Sequence, residues 1–204
     1  MIIQDSQAFK EACRNNEYRL GRVDFSHAPL SGSMLCGDAI HTLVLEHAQF
    51  TSTDLRLAHC FGWRLSKGEF NQSRCAGAIF QGCEFGDVMF HNVTYWEKDV
   101  PVMPTRFVDS TFLFAHFENE VLDSVVFKGC ALRGANFKNC NLSHARFLDC
   151  DLSGADFEHA SMDGVNLYGS TLTAGQLSEA EAADWSTVGV GKTGLTIDQL
   201  HGGL

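Results

Sequence analysis

The sequence predicts an all-β solenoid, in which short coils stack and bury one shared hydrophobic core. Two observations predict it: a large apolar residue recurs at every fifth position over most of the chain, and a small residue stands two positions before most of them. A period of five fits neither an amphipathic helix, which repeats near 3.6 residues, nor a half-buried strand, which repeats every second residue. Short internal repeats are instead typical of solenoids.

The clearest stretch of the repeat is ANFKNCNLSHARFLDCDLSGADF, residues 135–157. Its large residues are Phe137, Leu142, Phe147, Leu152 and Phe157, and its small ones are Ala135, Cys140, Ala145, Cys150 and Ala155. Large positions continue in one phase over residues 20–95, Ile40 included, and in another over 107–177. Of the 16 phenylalanines, all but Phe9, Phe61 and Phe114 occupy large positions. Each unit is therefore predicted to be a short extended side and a corner, with both periodic residues pointing inward.

Polar residues directly precede several of the large ones, in units such as GANFK, DCDLSG and GADFE. The polar positions are Asn136, Asn141, Asp151, Asp156 and Asn166. These units resemble the pentapeptide repeat proteins, whose loose consensus is A(D/N)LXX, and the resemblance covers roughly residues 18–179. It implies a right-handed quadrilateral β-helix with four pentapeptides, and so twenty residues, in each coil.

Residues twenty positions apart should therefore stack in columns along the rod. One column is predicted to hold Phe117, Phe137 and Phe157, and the opposite one Phe107, Phe127 and Phe147. The two columns between them are mostly aliphatic. They contain Leu132, Leu152 and Leu172 on one side and Leu122, Leu142 and Met162 on the other.

The repeat breaks between Tyr95 and Phe107, where twelve residues separate two large positions. The segment WEKDVPVMPTR contains two prolines, which cannot donate ladder hydrogen bonds, so we expect seven extra residues to leave one corner as a loop near 96–106. Phe117 should then follow Phe90 in its column. Loops on a rigid scaffold often carry binding. The candidate partner-binding residues of this loop are Trp96, Glu97, Lys98, Asp99 and Met103. A tolerated insertion without a partner is the alternative.

Helical caps are expected at both ends, because the open edge of a terminal coil invites association. Residues 1–17 predict a capping helix that Asp5 or Ser6 begins, and its apolar side contains Phe9. Residues 18–179 form the β-helix and 180–204 the C-terminal cap. In that cap SEAEAADW predicts a short helix, and Thr196 is a plausible N-cap for a segment that packs Leu195, Ile197 and Leu200 on the last coil. One cap can instead join two chains in a homodimer.

Sequence motifs for catalysis, metals and cofactors are weak, so we expect no enzyme, metal or cofactor. Six of the eight cysteines occupy periodic inward positions, which favours small core side chains over a disulfide or zinc role. GVGKT, residues 189–193, lacks the first glycine of a phosphate-binding loop, since Ser186 stands there. His27 and His47 would lie one coil apart on the outside, but Lys67 occupies the next position of that column.

The chain carries a net charge of −10, which disfavours direct binding to nucleic acid, because such binding needs a basic face. The residues from 149 onward contribute −8 of this charge. Asp149, Asp151 and Asp156 are therefore further candidate partner-binding residues, at an end that should project a negative field. A solvated face that keeps the protein soluble is the alternative.

Two functional hypotheses follow. The first is a non-enzymatic protein-binding scaffold that acts through the outer faces, loop and ends of a rigid acidic rod. The second rests on similarity to the quinolone-resistance (Qnr) branch of the family, which implies a DNA-mimicking protein that binds DNA gyrase or topoisomerase IV. Neither a secretory signal nor a membrane span is recognised, so a cytoplasmic location is expected, and delivery into another cell as an effector stays open.

Overall fold

Successive coils of the chain stack in parallel and form a rod with four walls around one core. This computed structural model describes residues 2–15, 19–36, 43–98, 103–182 and 184–202. It confirms the solenoid that the five-residue period predicts and the quadrilateral β-helix that the family resemblance implies. Among these residues, no helix has the length and apolar character needed to cross a membrane.

The strands are short, because each one is only a single side of a coil. The helices and strands of the described chain are α1 (Ser6–Asn15), β1 (Arg19–Gly21), β2 (Met34–Cys36), β3 (Leu43–Glu46), β4 (Gln49–Thr51), β5 (His59–Phe61), β6 (Trp63–Ser66), β7 (Glu69–Asn71), β8 (Ile79–Gln81), β9 (Glu84–Gly86), β10 (Met89–His91), β11 (Arg106–Val108), β12 (Thr111–Leu113), β13 (Val126–Lys128), β14 (Arg146–Leu148), a 3-10 turn (Trp185–Thr187) and α2 (Ile197–His201).

Each wall is a parallel ladder that runs along the rod. In chain order around a coil, wall A contains β1, β3, β6, β9 and β12, wall B contains β4, β7 and β10, and wall D contains β2, β5, β8, β11, β13 and β14. Wall C lies between walls B and D. It is held by isolated bridges, which pair Pro29 with Asp54 at one end and Ser161 with Glu181 at the other.

Stacked phenylalanine rings fill the interior and confirm the predicted columns. Inside wall B, Phe117 stacks on Phe137 at 5.1 Å between ring centroids, and Phe137 on Phe157 at 5.4 Å. Inside wall D, Phe127 stacks on Phe147 at 5.0 Å. The two columns meet edge to face, with Phe117 and Phe127 5.9 Å apart at 84°. Offset stacking along a column and edge contacts between columns are both favourable aromatic geometries, so the ladder has little room for other residues.

The small inward positions add polar contacts to this core. Where they hold a thiol or hydroxyl, the side chain donates to a backbone carbonyl of the coil beneath, as Cys140 does to Phe117 at 2.9 Å and Ser170 to Phe147 at 2.9 Å. Burial raises the pKa of Cys140 to about 12, which keeps its thiol protonated. All the described cysteine side chains are buried, as expected of core residues.

The first coil is five residues longer than expected. Leu20 pairs with Leu45 and Leu35 pairs with Cys60, so these partners are 25 residues apart instead of twenty. The extra residues fall between Leu35 and Leu43, and Ile40, which was assigned to the repeat, lies outside the described residues. An insertion of five leaves the phase of a five-residue repeat unchanged, so periodicity cannot detect it.

Seven extra residues enter the coil that follows Tyr95. Phe107 pairs with Phe80, 27 residues earlier, and the ring of Phe117 stacks on Phe90 at 4.5 Å. The column that continues from Phe90 to Phe117 is therefore confirmed. The ladder resumes at Arg106, where β11 begins, so the excursion from the rod ends before the expected residue 106.

The chain ends pack on the terminal coils. The backbone N–H of Ala8 donates to Asp5 Oδ1 at the start of α1, and Phe9 of that helix contacts Phe25 at 5.9 Å. Thr196 caps α2 through a reciprocal capping box with Gln199. Leu200 is fully buried on the last coil.

The expected helix at SEAEAADW is wrong. Glu181 instead bridges Ser161, and its N–H donates to the carbonyl of Ala160 at 2.8 Å, so the coil continues along wall C. Helical structure nearby is limited, in the described residues, to the 3-10 turn at Trp185–Thr187, which Asp184 caps. The ladder bonds of another coil outweigh a local helical preference here.

Candidate functional site

The parallel ladder opens on wall C, where the chain leaves the rod. Bridges join Arg74 to Thr94 below this point and Val121 to Asn141 above it, but among the described residues none joins Thr94 to Val121. The same two coils are in register on wall B, where the N–H of Phe90 donates to His116 O at 3.0 Å. The coils therefore separate over a single wall.

Glu120 links the two coils at the corner between walls B and C. It is 3% exposed. It stands two positions before Leu122, and this inward position takes a small side chain in most other units. Its carboxylate accepts from the backbone N–H of Asn92 at 2.5 Å and of Val93 at 2.9 Å. A side chain thus replaces a backbone contact between coils.

Thr105 brings the coils together again at the corner between walls C and D. Its hydroxyl lies 2.7 Å from the carbonyl oxygen of Cys75 and 2.8 Å from that of Tyr95. Its own carbonyl accepts from the N–H of Val126 at 3.0 Å, which restarts the ladder. The opening is therefore bounded on both sides by fixed hydrogen bonds.

A cavity of about 630 Å³ occupies this opening, and we call it the wall C groove. Residues 92–96 line one side, residues 119–121 and 123–124 line the other, and His144 contributes from the next coil. A second cavity of about 430 Å³ shares Trp96, Ser124 and His144 and extends the groove toward wall D. Cavities of this size are typical of ligand and peptide sites.

Two buried groups of the groove have perturbed acidity. Burial raises the pKa of Glu120, although the two backbone N–H donors and His91 favour its charged form. Burial also raises the pKa of Tyr95 well above its usual value. The Tyr95 hydroxyl has no hydrogen-bond partner among the described residues, which is unusual for a buried polar group.

The base of the loop is fixed to wall C by ion pairs. Glu97 accepts two hydrogen bonds from Arg74, at 2.7 and 2.6 Å, and lies 3.5 Å from Arg56. Arg56 is in turn held by Asp54 through bonds of 2.9 and 2.6 Å. These guanidinium contacts lower the pKa of Glu97 and of Asp54. Bidentate pairs of this kind fix orientation as well as charge.

The structure places the predicted loop residues in different environments. Trp96 is 56% exposed at the rim of the groove, Met103 is 43% exposed, and Lys98 is exposed. Glu97 is half-buried in the ion pairs described above. Asp99 lies outside the described residues. Among the described members of this set, Trp96 is thus the one that is both exposed and next to a cavity.

The acidic candidates do not share a face. Asp149 lies at the corner between walls D and A, where its Oδ1 would clash with a Cβ added to Gly169. Asp151 lies on wall A, 3.8 Å from Arg133, and Asp156 on wall B, 3.2 Å from Lys138. Basic residues of the coil beneath therefore offset part of the negative charge that the sequence concentrates at this end.

The histidine pair considered for a metal is separated by the long first coil. The N–H of His27 donates to Thr51 O and that of His47 to Ser66 O, so the two residues lie at different corners. No group of three or more candidate metal ligands occurs among the described residues. Lys192 of the GVGKT segment lies over the ring of Tyr168, 5.0 Å from its centroid.

The polar residues of the groove are not among the site residues that the sequence predicts. One signal was available, because Glu120 is a carboxylate at an inward position that is apolar or small in most units of the repeat. Asp123 and His144 carry no such signal, since outward positions accept any polar residue. Their proximity to Trp96 depends on the seven-residue insertion.

Comparison with known proteins gives the same fold. Residues 100–186 match a family model described as a pentapeptide repeat region. No curated protein matches the chain in sequence. A trypsin-treated single-residue variant of QnrB1, a plasmid-mediated fluoroquinolone resistance protein, is a similar solved structure, with 17% identity, a TM-score of 0.55, and coverage of 89% of this chain and 86% of that one. HetL, a pentapeptide repeat protein involved in heterocyst differentiation regulation in the cyanobacterium Nostoc, has 19% identity, a TM-score of 0.34 and coverage of 85% and 75%.

Proposed function

We propose that this chain, whose residues 100–186 match the pentapeptide repeat region, is a non-enzymatic scaffold that binds a protein partner through the outer walls, the loop and the ends of a rigid acidic rod. The observation that carries the proposal is the position of Trp96. Its side chain is 56% exposed beside the wall C groove, while the next residue, Glu97, is held by Arg74. Exposed aromatic residues on rigid supports are typical anchors of protein interfaces.

The packed interior also favours recognition on the outside. The phenylalanine columns fill the rod with contacts of about 4.4 to 5.4 Å between ring centroids. The thiol and hydroxyl groups at the small inward positions bind backbone carbonyls, as Cys140 and Ser170 do. The chemistry that can meet a partner is therefore carried by the loop and the outward residues.

Affinity capture with loop variants tests this proposal. Replacement of residues 97–103 by a direct link between Trp96 and Pro104, and separately Trp96→Ala, should each reduce recovery of the partner that the unaltered rod captures. Charge reversal at Asp149, Asp151 and Asp156 tests the acidic end. Charge reversal at Glu46, Glu69 and Asp87, in the other half of the rod, is the matched control. The proposal for these surfaces would be contradicted if neither the loop variants nor charge reversal at the acidic end reduced recovery of the partner.

The alternative proposal is that the rod binds DNA gyrase or topoisomerase IV by resembling DNA and so modulates quinolone sensitivity. The likeness to QnrB1 supports the fold alone at 17% identity. The specific support is charge on wall B, whose outward positions carry Asp24, Glu69, Glu118, Asp156 and Glu158. Carboxylates spaced along one wall are what a phosphate-like stripe would need. Lys138, paired with Asp156 and Glu158, interrupts that stripe.

A supercoiling assay separates the two proposals. Purified protein at micromolar concentration should change gyrase supercoiling, with or without a quinolone, if the alternative is right. Neutralising wall B with Glu69→Gln and Glu118→Gln should then weaken the effect, whereas Glu46→Gln and Glu84→Gln on wall A should leave it in place. No effect of the unaltered protein would remove the alternative.

A further inference from the structure

The charge of the wall C groove indicates what kind of group it can hold. Two carboxylates, of Glu120 and Asp123, line the larger cavity, and its one described lining residue that can carry positive charge is His144. Arg146 lines only the smaller cavity, toward wall D. Glu120 is buried without a cationic side chain bonded to it in the described chain, and its two hydrogen bonds come from backbone N–H groups. A cation entering the groove would offset the cost of burying this carboxylate.

The rim of the groove supplies an aromatic surface. The indole of Trp96 is 56% exposed and borders both cavities of the opening. Cations bind over aromatic faces, and a planar guanidinium can stack on an indole while its N–H groups reach a carboxylate. Lysine lacks this planar fork, so the combination of Trp96 with Asp123 favours arginine.

The break in the ladder on wall C allows an arginine side chain to enter the groove. The backbone edges at Thr94 and Val121 do not bridge each other, and the side chains of Asn92 and Asn119 lie on the two sides of the opening. Exposed strand edges and amide side chains can bind the backbone of an extended segment. A cavity of about 630 Å³ holds one long side chain together with the residues that flank it.

We propose that the wall C groove binds an arginine side chain that a protein partner presents on an extended segment, with Asp123 and Glu120 facing the guanidinium and Trp96 stacked on it. This inference rests on the proposed scaffold function, because it names the partner chemistry that the loop region recognises. The rest of the rod then serves to hold the two sides of the groove at a fixed separation.

Peptide binding to the purified protein tests the inference. The probe is a five-residue peptide with a central arginine and blocked ends, and the matched peptide carries citrulline, which keeps the shape and removes the charge. The indole N–H resonance of Trp96 in heteronuclear NMR spectra reports occupancy at the rim. We expect saturable shifts with the arginine peptide and binding weaker by about tenfold with citrulline, as for loss of a charge-assisted contact.

Two isosteric substitutions test whether a carboxylate of the groove, and not the overall charge of the rod, binds the arginine peptide. Asp123→Asn should lower the affinity for the arginine peptide by roughly threefold to tenfold, because it removes a carboxylate that faces the guanidinium. Glu46→Gln, which removes one charge from exposed wall A, should leave the affinity unchanged. Equal weakening by both variants would indicate general attraction to an acidic rod and overturn the proposal, as would the absence of a saturable shift at Trp96.

The outcome is distinguishable from that of the scaffold test. If the peptide does not bind but loop replacement still abolishes partner capture, the arginine groove is wrong and the scaffold function stands. If the peptide binds as expected but Trp96→Ala and Asp123→Asn do not change partner capture, the scaffold proposal for this surface fails, while arginine binding by the groove is supported.

Discussion

Phe90 and Phe117 stack with their ring centroids 4.5 Å apart, although 27 residues of chain separate them. Within the regular part of the rod the same contact joins residues twenty apart, such as Phe117 and Phe137 at 5.1 Å. The core is therefore continuous across the insertion. The extra residues change only the outer surface, where they leave the loop and the wall C groove.

Removal of the extra residues should leave the core intact. Deleting residues 97–103 joins Trp96 to Pro104 and restores a spacing of five residues between the inward positions of Tyr95 and Phe107. We expect a folded rod that loses no more than about 1 kcal/mol of unfolding free energy from the half-exposed pair of Glu97 and Arg74. Thermal unfolding and near-UV circular dichroism measure this.

A longer deletion is the matched control. Removing residues 97–104 leaves one residue too few and moves Thr105 out of its contacts with Cys75 and Tyr95. We expect this variant to lose the cooperative unfolding transition. Equal stability of the two deletions would show that the register across the insertion is not what holds the coils together.

The aromatic columns should dominate stability. Phe127→Ala removes a fully buried ring that stacks on both Phe107 and Phe147 at 5.0 Å. The expected loss is about 3–5 kcal/mol of unfolding free energy, since neighbouring coils cannot collapse into the space. Phe114→Ala, at a ring 63% exposed, should change stability by no more than about 0.5 kcal/mol. Urea titration measures both, and similar losses would contradict the ladder as the main source of stability.

The ion pair at the loop base should make stability depend on acid pH. Arg74 lowers the pKa of Glu97 below its usual value of 4.5, so the unfolded chain binds more protons than the folded one in the window below 4.5. The contribution of Glu97 is therefore fully present above 4.5 and is lost as the pH falls through the folded-state pKa. Glu97→Gln should lower the melting temperature near neutral pH and match the unaltered protein in acid.

The exposed pair of Arg64 and Glu84 is the control for this measurement. Both of its side chains are more than half exposed, whereas Glu97 is 18% exposed. Solvent screens exposed pairs, so Glu84→Gln should change the melting temperature less than Glu97→Gln. A larger effect at Glu84 would mean that the pair of Glu97 and Arg74 does not stabilise the fold more than the pair of Arg64 and Glu84.

The contribution of Glu120 to stability should depend on pH with the sign opposite to that of Glu97. Burial raises its pKa above the usual 4.5, so the folded chain keeps a proton that the unfolded chain has released in the window above 4.5. Stability contributed by this residue therefore falls as the pH rises through that window. Glu120→Gln cannot ionise and should remove this slope from a series of urea titrations. A slope that persists in Glu120→Gln would assign it to other groups.

The sequence predicts some residues of the site and not others. The sequence predicts Trp96 as a candidate because it begins the segment that breaks the repeat, and its side chain lies at the groove. The ion pair between Glu97 and Arg74 was not predictable, because their 23-residue separation becomes a contact only when the loop leaves the corner toward the preceding coil. Asp149, Asp151 and Asp156 are close in sequence but point from a corner and two walls, since each pentapeptide turns the chain to the next side.

The period of five predicts a stacked repeat and its inward positions, and the family resemblance supplies the four units of each coil. The period repeats the same inward position on every wall, so Phe117, Phe137 and Phe157 must stack once four units close a coil. The places where coils lengthen and separate depend instead on contacts between coils. Five extra residues in the first coil preserve the phase that periodicity reads. The opening between Thr94 and Val121 lies where seven residues are inserted and where the carboxylate of Glu120 takes the place of a backbone contact.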